Sequence, residues 1–242
     1  MNERVKIGAG MMAEVYSWNG FAYKCFREGY PKEWLEFEYN QQNEVCKSNL
    51  PIPRYYESEF PNSIKMELIS GISIFDRFNA EGGEVILKDL MTWFMKIHEV
   101  KGLDLPDVSA YLYEEIDVSP VGEAEKAYAR QCHAEVEQAI TEEKVLCHMD
   151  YHPLNVMYEN GEIRIIDWVD AKNGKPIWDF SRTYVIFYEF APGLKTKLLK
   201  QICALTGYPE DIFMKAVYVN ALHRLNQSDT ERTRKLIELL KK

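Results

Sequence analysis

The sequence predicts an α+β protein with two lobes. Residues 5–69 contain short apolar runs separated by turn residues, with a single helical stretch, which predicts a small five-stranded antiparallel sheet plus one helix. From residue 70 onward most apolar residues recur at helical spacing, which predicts a larger, mainly helical lobe. That lobe is interrupted by one hairpin, marked by Asn160-Gly161 between two apolar runs. We therefore expect an N-terminal lobe at 1–69 and a C-terminal lobe at 70–242.

Composition limits the classes of partner. The net charge of -9 argues against a general nucleic-acid binder, which normally has a basic surface. The charge is compatible with a cationic substrate, although many cytosolic proteins are equally acidic without one. The five cysteines are an odd number without a CxxC pair, which predicts reduced thiols in a cytoplasmic protein. We find no apolar run long enough to span a bilayer and no apolar N-terminal leader, so no membrane partner is expected.

The N-terminal lobe begins with three predicted strands between residues 5 and 26, the last two joined by a tight Asn19-Gly20 turn. Gly8 and Gly10 precede the second strand, where backbone amides without a neighbouring Cβ can approach a phosphate closely. Glycine-containing strand turns are common, so this pair alone is weak support for a phosphate site. Lys24 lies in the third strand, and a solvent-facing strand lysine is the alternative interpretation.

A helix is predicted from Pro31 to Cys46, with the proline as its first residue. Glu38 lies one turn after Trp34 and is expected to point inward, while Glu36 and Glu44 are alternatives on other faces. Two further strands are predicted at 54–58 and 63–68, and Ile69-Ser70-Gly71 ends the strand-rich region.

The C-terminal lobe is predicted from helical periodicity and capping signals. Ser73 and Asp76 form a capping-box pattern at the start of a short helix. Apolar helices are expected at 84–98 and 123–144, and three or four more after Pro176, the last at about 230–242. Between Gly102 and Glu125 there are seven acidic residues and no Lys or Arg, which we interpret as a solvated connecting segment rather than an acidic wall facing a substrate.

Residues 147–171 carry the strongest chemical signal. Asp150 is followed five residues later by Asn155 and, twelve residues after that, by Asp167 at the end of a predicted strand. The Asn160-Gly161 hairpin is expected to bring Asp167 beside Asn155, with Asp150 on the preceding loop. Three converging oxygen-bearing side chains can hold a hard cation such as Mg²⁺ against phosphate oxygens. A GxxxxGK[ST] phosphate-binding loop is absent.

Three motifs resemble those of the aminoglycoside phosphotransferase and choline kinase-like family, within the protein-kinase-like superfamily. They are His148-Met149-Asp150-Tyr151-His152-Pro153-Leu154-Asn155, Ile166-Asp167-Trp168, and Gly174-Lys175-Pro176-Ile177-Trp178-Asp179-Phe180. The family usually has glycine where Met149 stands, and Ala13 stands near the place of the third loop glycine of protein kinases. The resemblance extends from Gly8 to about Asp179 and implies the bilobal kinase-like fold.

The resemblance also implies roles for individual residues. Asp150 matches the catalytic base, and Asn155 and Asp167 match the Mg²⁺ ligands. Lys24 matches the lysine that grips the α- and β-phosphates, and Glu38 is the expected helix partner. The loop over the phosphates matches residues 8–13, including Gly8 and Gly10, and the adenine-binding hinge matches Met66, Glu67, Leu68 and Ile69.

Other chemistry is disfavoured for the remaining tempting residues. His148 and His152 have an i,i+4 spacing, but Pro153 and the loop context argue against a helical zinc pair. Cys147 is adjacent to His148, and adjacent strand residues point to opposite faces, which argues against a thiol nucleophile. Asp179 is expected to brace the catalytic loop rather than to react.

We therefore expect a kinase that uses ATP or GTP with Mg²⁺ to phosphorylate a hydroxyl of a small molecule. The acceptor stays open among choline or another amino alcohol, a sugar and an aminoglycoside. Quaternary ammonium requires an aromatic cage, for which Tyr151, Trp168, Trp178 and Tyr184 are available. The basic segment 223–242 makes a polycationic antibiotic less favourable. The alternative is a non-catalytic nucleotide-binding regulator on the same fold. Protein phosphorylation is disfavoured, because the stretch between Asp167 and Asp179 is short. The oligomeric state is not predicted.

Overall fold

The computed structural model describes residues 3–10 and 12–241, with the side chains of 78–81 and 83–85 excluded. In chain order the strands are β1 (Val5–Ala9), β2 (Ala13–Trp18), β3 (Phe21–Phe26), β4 (Tyr55–Tyr56), β5 (Ser63–Glu67), β6 (Ile72–Ser73), β7 (Val145–Cys147), β8 (Val156–Glu159), β9 (Glu162–Ile165) and β10 (Lys172–Gly174). The helices are α1 (Lys32–Val45), α2 (Ile74–Glu81), α3 (Gly83–Ile97), α4 (Val108–Val118), α5 (Glu123–Ala139), α6 (Pro176–Phe190), α7 (Lys195–Thr206), α8 (Glu210–Gln227) and α9 (Glu231–Leu240).

The chain divides into two compact units. Unit 1 comprises Met1–Gly82 and Pro153–Asp170, and unit 2 comprises Gly83–His152 and Ala171–Lys242. The predicted α+β class with an N-terminal five-stranded antiparallel sheet and a helical remainder is confirmed. The lobe boundary at residue 69 stays a prediction.

In unit 1 the larger sheet has the order β1-β2-β3-β5-β4, with every pair antiparallel. The turn between β2 and β3 is the predicted one, because Asn19 (φ 48°) and Gly20 (φ 81°) both adopt left-handed conformations while Trp18 pairs with Phe21. Its buried core contains Ala13, Phe26, Tyr55 and Ile64. Two boundaries differ from the prediction: β4 is only two residues long, and α1 begins at Lys32 because Pro31 has an extended ψ of 131°.

The smaller sheet of unit 1 has the order β6-β8-β9. Asn160 (φ 51°) and Gly161 (φ 89°) form the predicted tight turn between β8 and β9. The predicted capping box is present, since Asp76 N donates to Ser73 Oγ at 3.1 Å and Ser73 N donates to Asp76 Oδ2 at 3.2 Å. The hairpin is tied to the chain before β4 by a bond from Ile165 N to Pro51 O at 2.9 Å.

In unit 2, α6 is almost entirely buried, and the middle of α8, from Ala216 to His223, is buried with it. Pro176 occupies the start of α6, where its missing N–H leaves no helix bond unmade. Four helices follow residue 175, in agreement with the prediction, although Lys242 at the end of the predicted last helix lies outside the described residues. No helix in the described part of the chain is long and apolar enough to cross a bilayer.

Two predictions for unit 2 are wrong. The acidic segment 102–125 is not simply a solvated connection, because it contains α4, which Asp107 caps by accepting from Ala110 N at 2.9 Å. Val108, Leu112 and Ile116 recur every four residues and are buried, which is the helical signal that the charges obscured. The helix predicted at 123–144 ends at Ala139, because the chain becomes extended at Ile140 and then enters β7, which pairs with β10.

Candidate active site

Unit 1 brings Lys24 and Glu38 together. Lys24 lies on β3, and its Nζ donates to Glu38 Oε1 at 2.6 Å. Glu38 lies on α1 with only 4% of its side chain exposed, and Tyr55 Oη donates to the same oxygen at 3.4 Å. The two neighbouring glutamates are engaged elsewhere, since Glu36 pairs with Lys32 and Glu44 pairs with Lys47. Glu38 is therefore the helix partner of Lys24.

The electrostatics of this pair keep the lysine protonated. Burial alone lowers the pKa of Lys24, but the carboxylates of Asp167 and Glu38 outweigh burial and raise it. Burial raises the pKa of Glu38, and the charge of Lys24 opposes that rise. The Lys24 ammonium group is thus held in a partly buried site, where its electric field is screened less than it would be in water.

Asp167 reaches the same lysine. Its Oδ1 lies 3.6 Å from Lys24 Nζ, and 41% of its side chain is exposed. Asp167 follows β9 and has a φ of 64°. At this left-handed residue the backbone turns away from the direction of the strand. Ile166 N donates to Asn155 O at 3.0 Å, so the hairpin places Asn155 next to the end of β9. The structure therefore brings together four predicted residues, Lys24, Glu38, Asn155 and Asp167.

The chemistry of Asn155 and Asp167 fits a magnesium ion. An amide oxygen and a carboxylate are both hard donors, and Mg²⁺ usually takes only one or two such protein ligands. Because Asp167 is partly exposed, water or phosphate oxygens would be able to reach an ion that it held.

The predicted phosphate loop and the predicted hinge both lie in unit 1. Gly8 lies in β1 beside an irregularity in its pairing with β2. Gly10 N donates to Ala13 O at 2.8 Å, which closes a tight turn, and Met11 lies outside the described residues. Met66 and Glu67 end β5, and Leu68 and Ile69 follow the strand. The Glu67 side chain pairs with Arg164 at 2.6 Å.

Asp150 belongs to unit 2 and lies on the loop after β7. Its Oδ2 is 3.3 Å from His152 Nε2, and its N–H lies 3.3 Å from His148 Nδ1. Burial raises the pKa of Asp150, but the hydrogen bond from His152 and the charges of His152, Arg182 and His148 together hold it well below its ordinary value. Asp150 is therefore an ionised acceptor at neutral pH.

The loop that carries Asp150 is held by one face of α6. Asp179 is fully buried and accepts from His148 N at 2.7 Å and from Met149 N at 2.8 Å, so the predicted bracing role is confirmed. Arg182 Nε donates to Met149 O at 3.1 Å, and Thr183 Oγ1 donates to Tyr151 O at 2.8 Å. The sequence analysis did not single out Arg182 or Thr183. Their i+3 and i+4 spacing from Asp179 on a largely apolar helix is the signal that reveals them.

Met149 explains why a glycine is usual at this position of the motif. Its φ of 63° lies in the left-handed region, where a side chain is disfavoured. The side chain is only 2% exposed, so the strain coexists with buried apolar contact. At this position the buried contacts of the Met149 side chain therefore offset a backbone strain that glycine would avoid.

A second cluster contains groups that are individually able to bind metal, namely His98, Cys147 and Asp179. His98 Nε2 lies 3.1 Å from Asp179 Oδ2, whose carboxylate already accepts two backbone N–H groups. Burial raises the pKa of the Cys147 thiol, so it stays protonated and can act neither as a thiolate ligand nor as a nucleophile. The cluster is explained by its role in bracing the loop.

Comparisons with known proteins bear on the fold and the family of the chain. Residues 95–211 match the model of the phosphotransferase enzyme family. No curated protein sequence matches the chain. Among solved structures, a thermostable mutant of aminoglycoside phosphotransferase APH(4)-Ia is 15% identical, with a TM-score of 0.67 and coverage of 99% of this chain and 94% of that one.

Two further structures have the same fold. Choline kinase LicA from Streptococcus pneumoniae is 15% identical, with a TM-score of 0.65 and coverage of 99% and 93%. The aminoglycoside phosphotransferase APH(2″)-IIa is 16% identical, with a TM-score of 0.66 and coverage of 99% and 90%. The family match covers nearly half of the chain and agrees with the resemblance that the motifs predicted, and the solved structures show that the chain has the kinase-like fold of aminoglycoside phosphotransferases and choline kinases.

Proposed function

We propose that the protein is a Mg²⁺-dependent kinase that transfers the γ-phosphoryl group of ATP to a hydroxyl of a small molecule. The observation that carries the proposal is the contact of one partly buried lysine with two carboxylates, Lys24 with Glu38 and Asp167. A cation held this way is suited to nucleotide phosphates, since phosphoryl transfer depends on positioning and charge neutralisation. Structures with the same fold support the nucleotide, because they contain ADP with hygromycin B and ATP with streptomycin.

Each nucleotide-binding residue has a distinct part in this proposal. Lys24 binds the α- and β-phosphates, and Glu38 holds its amine in place. Backbone groups of residues 66–69 bind the adenine, and Gly8 in β1 and Gly10 in the turn that follows lie over the phosphates. GTP is a second phosphate donor to be tested.

Asn155 and Asp167 would hold Mg²⁺. The ion, when bound, neutralises the charge of the phosphates and of the transferring group. Lys24 Nζ stands 3.6 Å from Asp167 Oδ1, so the lysine and the ion would lie beside the same carboxylate.

Asp150 acts on the acceptor. Its low pKa makes it a weak base towards a free alcohol, so its first task is to accept a hydrogen bond and orient the hydroxyl. As the acceptor oxygen bonds to phosphorus and the bond to the leaving ADP oxygen breaks, the hydroxyl becomes acidic. Its proton then passes to Asp150 and afterwards to solvent.

The acceptor is best described as a hydroxylated small molecule. The four aromatic residues considered for an ammonium cage are each less than 9% exposed, and Tyr151 and Trp168 bond to backbone carbonyls, so these side chains do not form an open cage. The acidic segment is largely neutralised by ion pairs, which are Asp107–Lys144, Glu115–His223, Asp117–Arg130, Glu123–Lys126 and Glu125–Lys241. Both observations favour a metabolic acceptor over choline or a polycationic antibiotic. The five free thiols support a cytoplasmic location.

An acceptor screen tests the proposal. ADP or GDP release is measured with a panel of sugars, amino sugars, amino alcohols and aminoglycosides, with and without Mg²⁺. Mg²⁺-dependent release with an acceptor, abolished by Asp150→Asn, supports the kinase. Thermal stabilisation by ATP without turnover on any acceptor supports the nucleotide-binding regulator instead. Absence of both binding and turnover contradicts the proposal.

A further inference from the structure

We propose that Arg182 is a positioning residue for phosphoryl transfer, which fixes the loop that carries Asp150 and provides a permanent positive charge beside its carboxylate. The inference rests on the proposed function of Asp150. It concerns only residues of unit 2.

Arg182 is buried in the middle of α6 and is only 2% exposed. Its Nε donates to Met149 O at 3.1 Å, and its Nη2 donates to Gln227 Oε1 at 2.5 Å. An arginine retains its charge when buried, and its planar guanidinium group donates hydrogen bonds in two fixed directions. Arg182 therefore joins the catalytic loop to the end of α8 through one rigid group.

The loop needs this support because its backbone is strained. Met149 has a φ of 63° immediately before Asp150, which lies in the left-handed region that residues with a side chain disfavour. Asp179 holds the loop through the N–H groups of His148 and Met149, whereas Arg182 holds the carbonyl of Met149. Asp179 and Arg182 of α6 therefore fix both the N–H groups and the carbonyl of this strained segment.

The charge of Arg182 differs from the other charges near Asp150. His152 and His148 face Asp150 from its own loop, and Arg182 and Asp179 face the loop from α6. Histidine loses its charge within the physiological pH range, whereas arginine does not. The positive charge that opposes the effect of burial on Asp150 at every pH therefore comes from Arg182.

A chain of polar groups, in which His223 is buried and Gln227 is exposed, holds the far side of Arg182. Gln227 Nε2 lies 3.4 Å from His223 Nε2, and His223 Nδ1 lies 2.9 Å from Glu115 Oε2 on α4. Asn226 Nδ2 also donates to Glu115 Oε2 at 2.8 Å. The amide of Gln227 is thereby oriented with its oxygen towards Arg182. This arrangement would be unnecessary if Arg182 only filled space.

The test compares Arg182→Met and Arg182→Lys with the matched control Arg224→Met. Arg224 also links α8 to α6, through Glu189 at 2.7 Å, but makes no recorded contact with the loop among the described residues. The assays are kcat for ADP release over a range of pH, with the acceptor from the screen or with water, the Kd for ATP, and hydrogen exchange of residues 148–151.

We expect Arg182→Met to lower kcat about 100-fold while the Kd for ATP changes less than about twofold. Because Asp150 must be ionised, the acidic limb of the kcat profile should move to higher pH. Arg182→Lys should restore the position of this limb but only part of kcat, since lysine keeps the charge and loses the fork. Exchange of residues 148–151 should increase in Arg182→Met and stay unchanged in Arg224→Met.

The inference is overturned if Arg182→Met and Arg224→Met agree in kcat, in the acidic limb and in loop exchange. A wild-type protein that releases no ADP contradicts the proposed function alone. Loop exchange then still decides whether Arg182 fixes the loop. If Arg182→Met does not fold, a normal kcat in Arg182→Lys overturns the inference.

Discussion

The Lys24–Glu38 pair permits a quantitative test by a double-mutant cycle. The Nζ–Oε1 distance is 2.6 Å, and the side chains are 20% and 4% exposed. Removing one partner of a fully buried pair costs about 3–5 kcal/mol, because the other charge is left uncompensated. The partial exposure of Lys24 reduces this, so Lys24→Met should lower the free energy of unfolding by about 2–3 kcal/mol at pH 8.

The cycle is completed with Glu38→Leu and the double variant, each unfolded in urea and followed by tryptophan fluorescence. The double variant should lose clearly less than the sum of the single variants, with a coupling energy of about 2 kcal/mol. Lys32–Glu36 on the same helix is the control, with a distance of 3.3 Å and side chains 83% and 57% exposed. Its coupling should be about 0.3–0.5 kcal/mol.

The effect of Lys24→Met should depend on pH. Burial raises the pKa of Glu38, and loss of the Lys24 charge removes the main effect opposing that rise. A carboxyl group with a raised folded-state pKa contributes its stability below the unfolded value of about 4.3, and this contribution is lost as the pH rises through the folded-state pKa. The variant should therefore be destabilised most at pH 8 and less at pH 5. Additive single effects, or equal losses at both pH values, would refute the reasoning.

Two further predictions concern backbone geometry and are checked by urea unfolding. Met149→Gly should lower the free energy of unfolding by about 1–3 kcal/mol, because the lost buried side chain outweighs the relieved strain, whereas Asn19→Gly at an exposed turn with φ 48° should change it by less than about 0.5 kcal/mol. Stabilisation by Met149→Gly would contradict the packing argument. Gly71→Ala should destabilise by more than about 2 kcal/mol, because its Cβ would lie 2.2 Å from Tyr158 O, while Gly193→Ala, with open space around the added Cβ, should be nearly neutral. Similar stability of these two alanine variants would show that the backbone at Gly71 shifts freely.

Local chemistry made much of unit 1 predictable. The Asn160-Gly161 turn needs two left-handed residues, and few sequences other than Asn-Gly provide them, so the hairpin and the neighbourhood of Asn155 and Asp167 followed directly. Glu38 is buried as predicted, but its spacing from Trp34 does not explain this, because Trp34 is 58% exposed. Its pairing with Lys24 needed the structure, since the sequence does not specify how α1 packs on the sheet.

The remainder depended on long-range packing. Helix α4 was missed because its carboxylates are neutralised by distant groups such as Lys144 and His223, which sequence patterning does not reveal. The short strands β7 and β10 pair across more than twenty residues and have no hairpin signal. Arg182 was missed because a buried arginine is recognised by what surrounds it rather than by a motif.

The central claim is that Asp150, Asn155 and Asp167 serve Mg²⁺-dependent phosphoryl transfer. The most direct measurement is ADP release by the wild type, Asp150→Asn and Asp167→Asn across the acceptor panel, with ATP binding measured in parallel. The account predicts Mg²⁺-dependent turnover in the wild type and its loss in both variants, with ATP still bound by Asp150→Asn. Wild-type turnover that persists in Asp150→Asn and Asp167→Asn would contradict it.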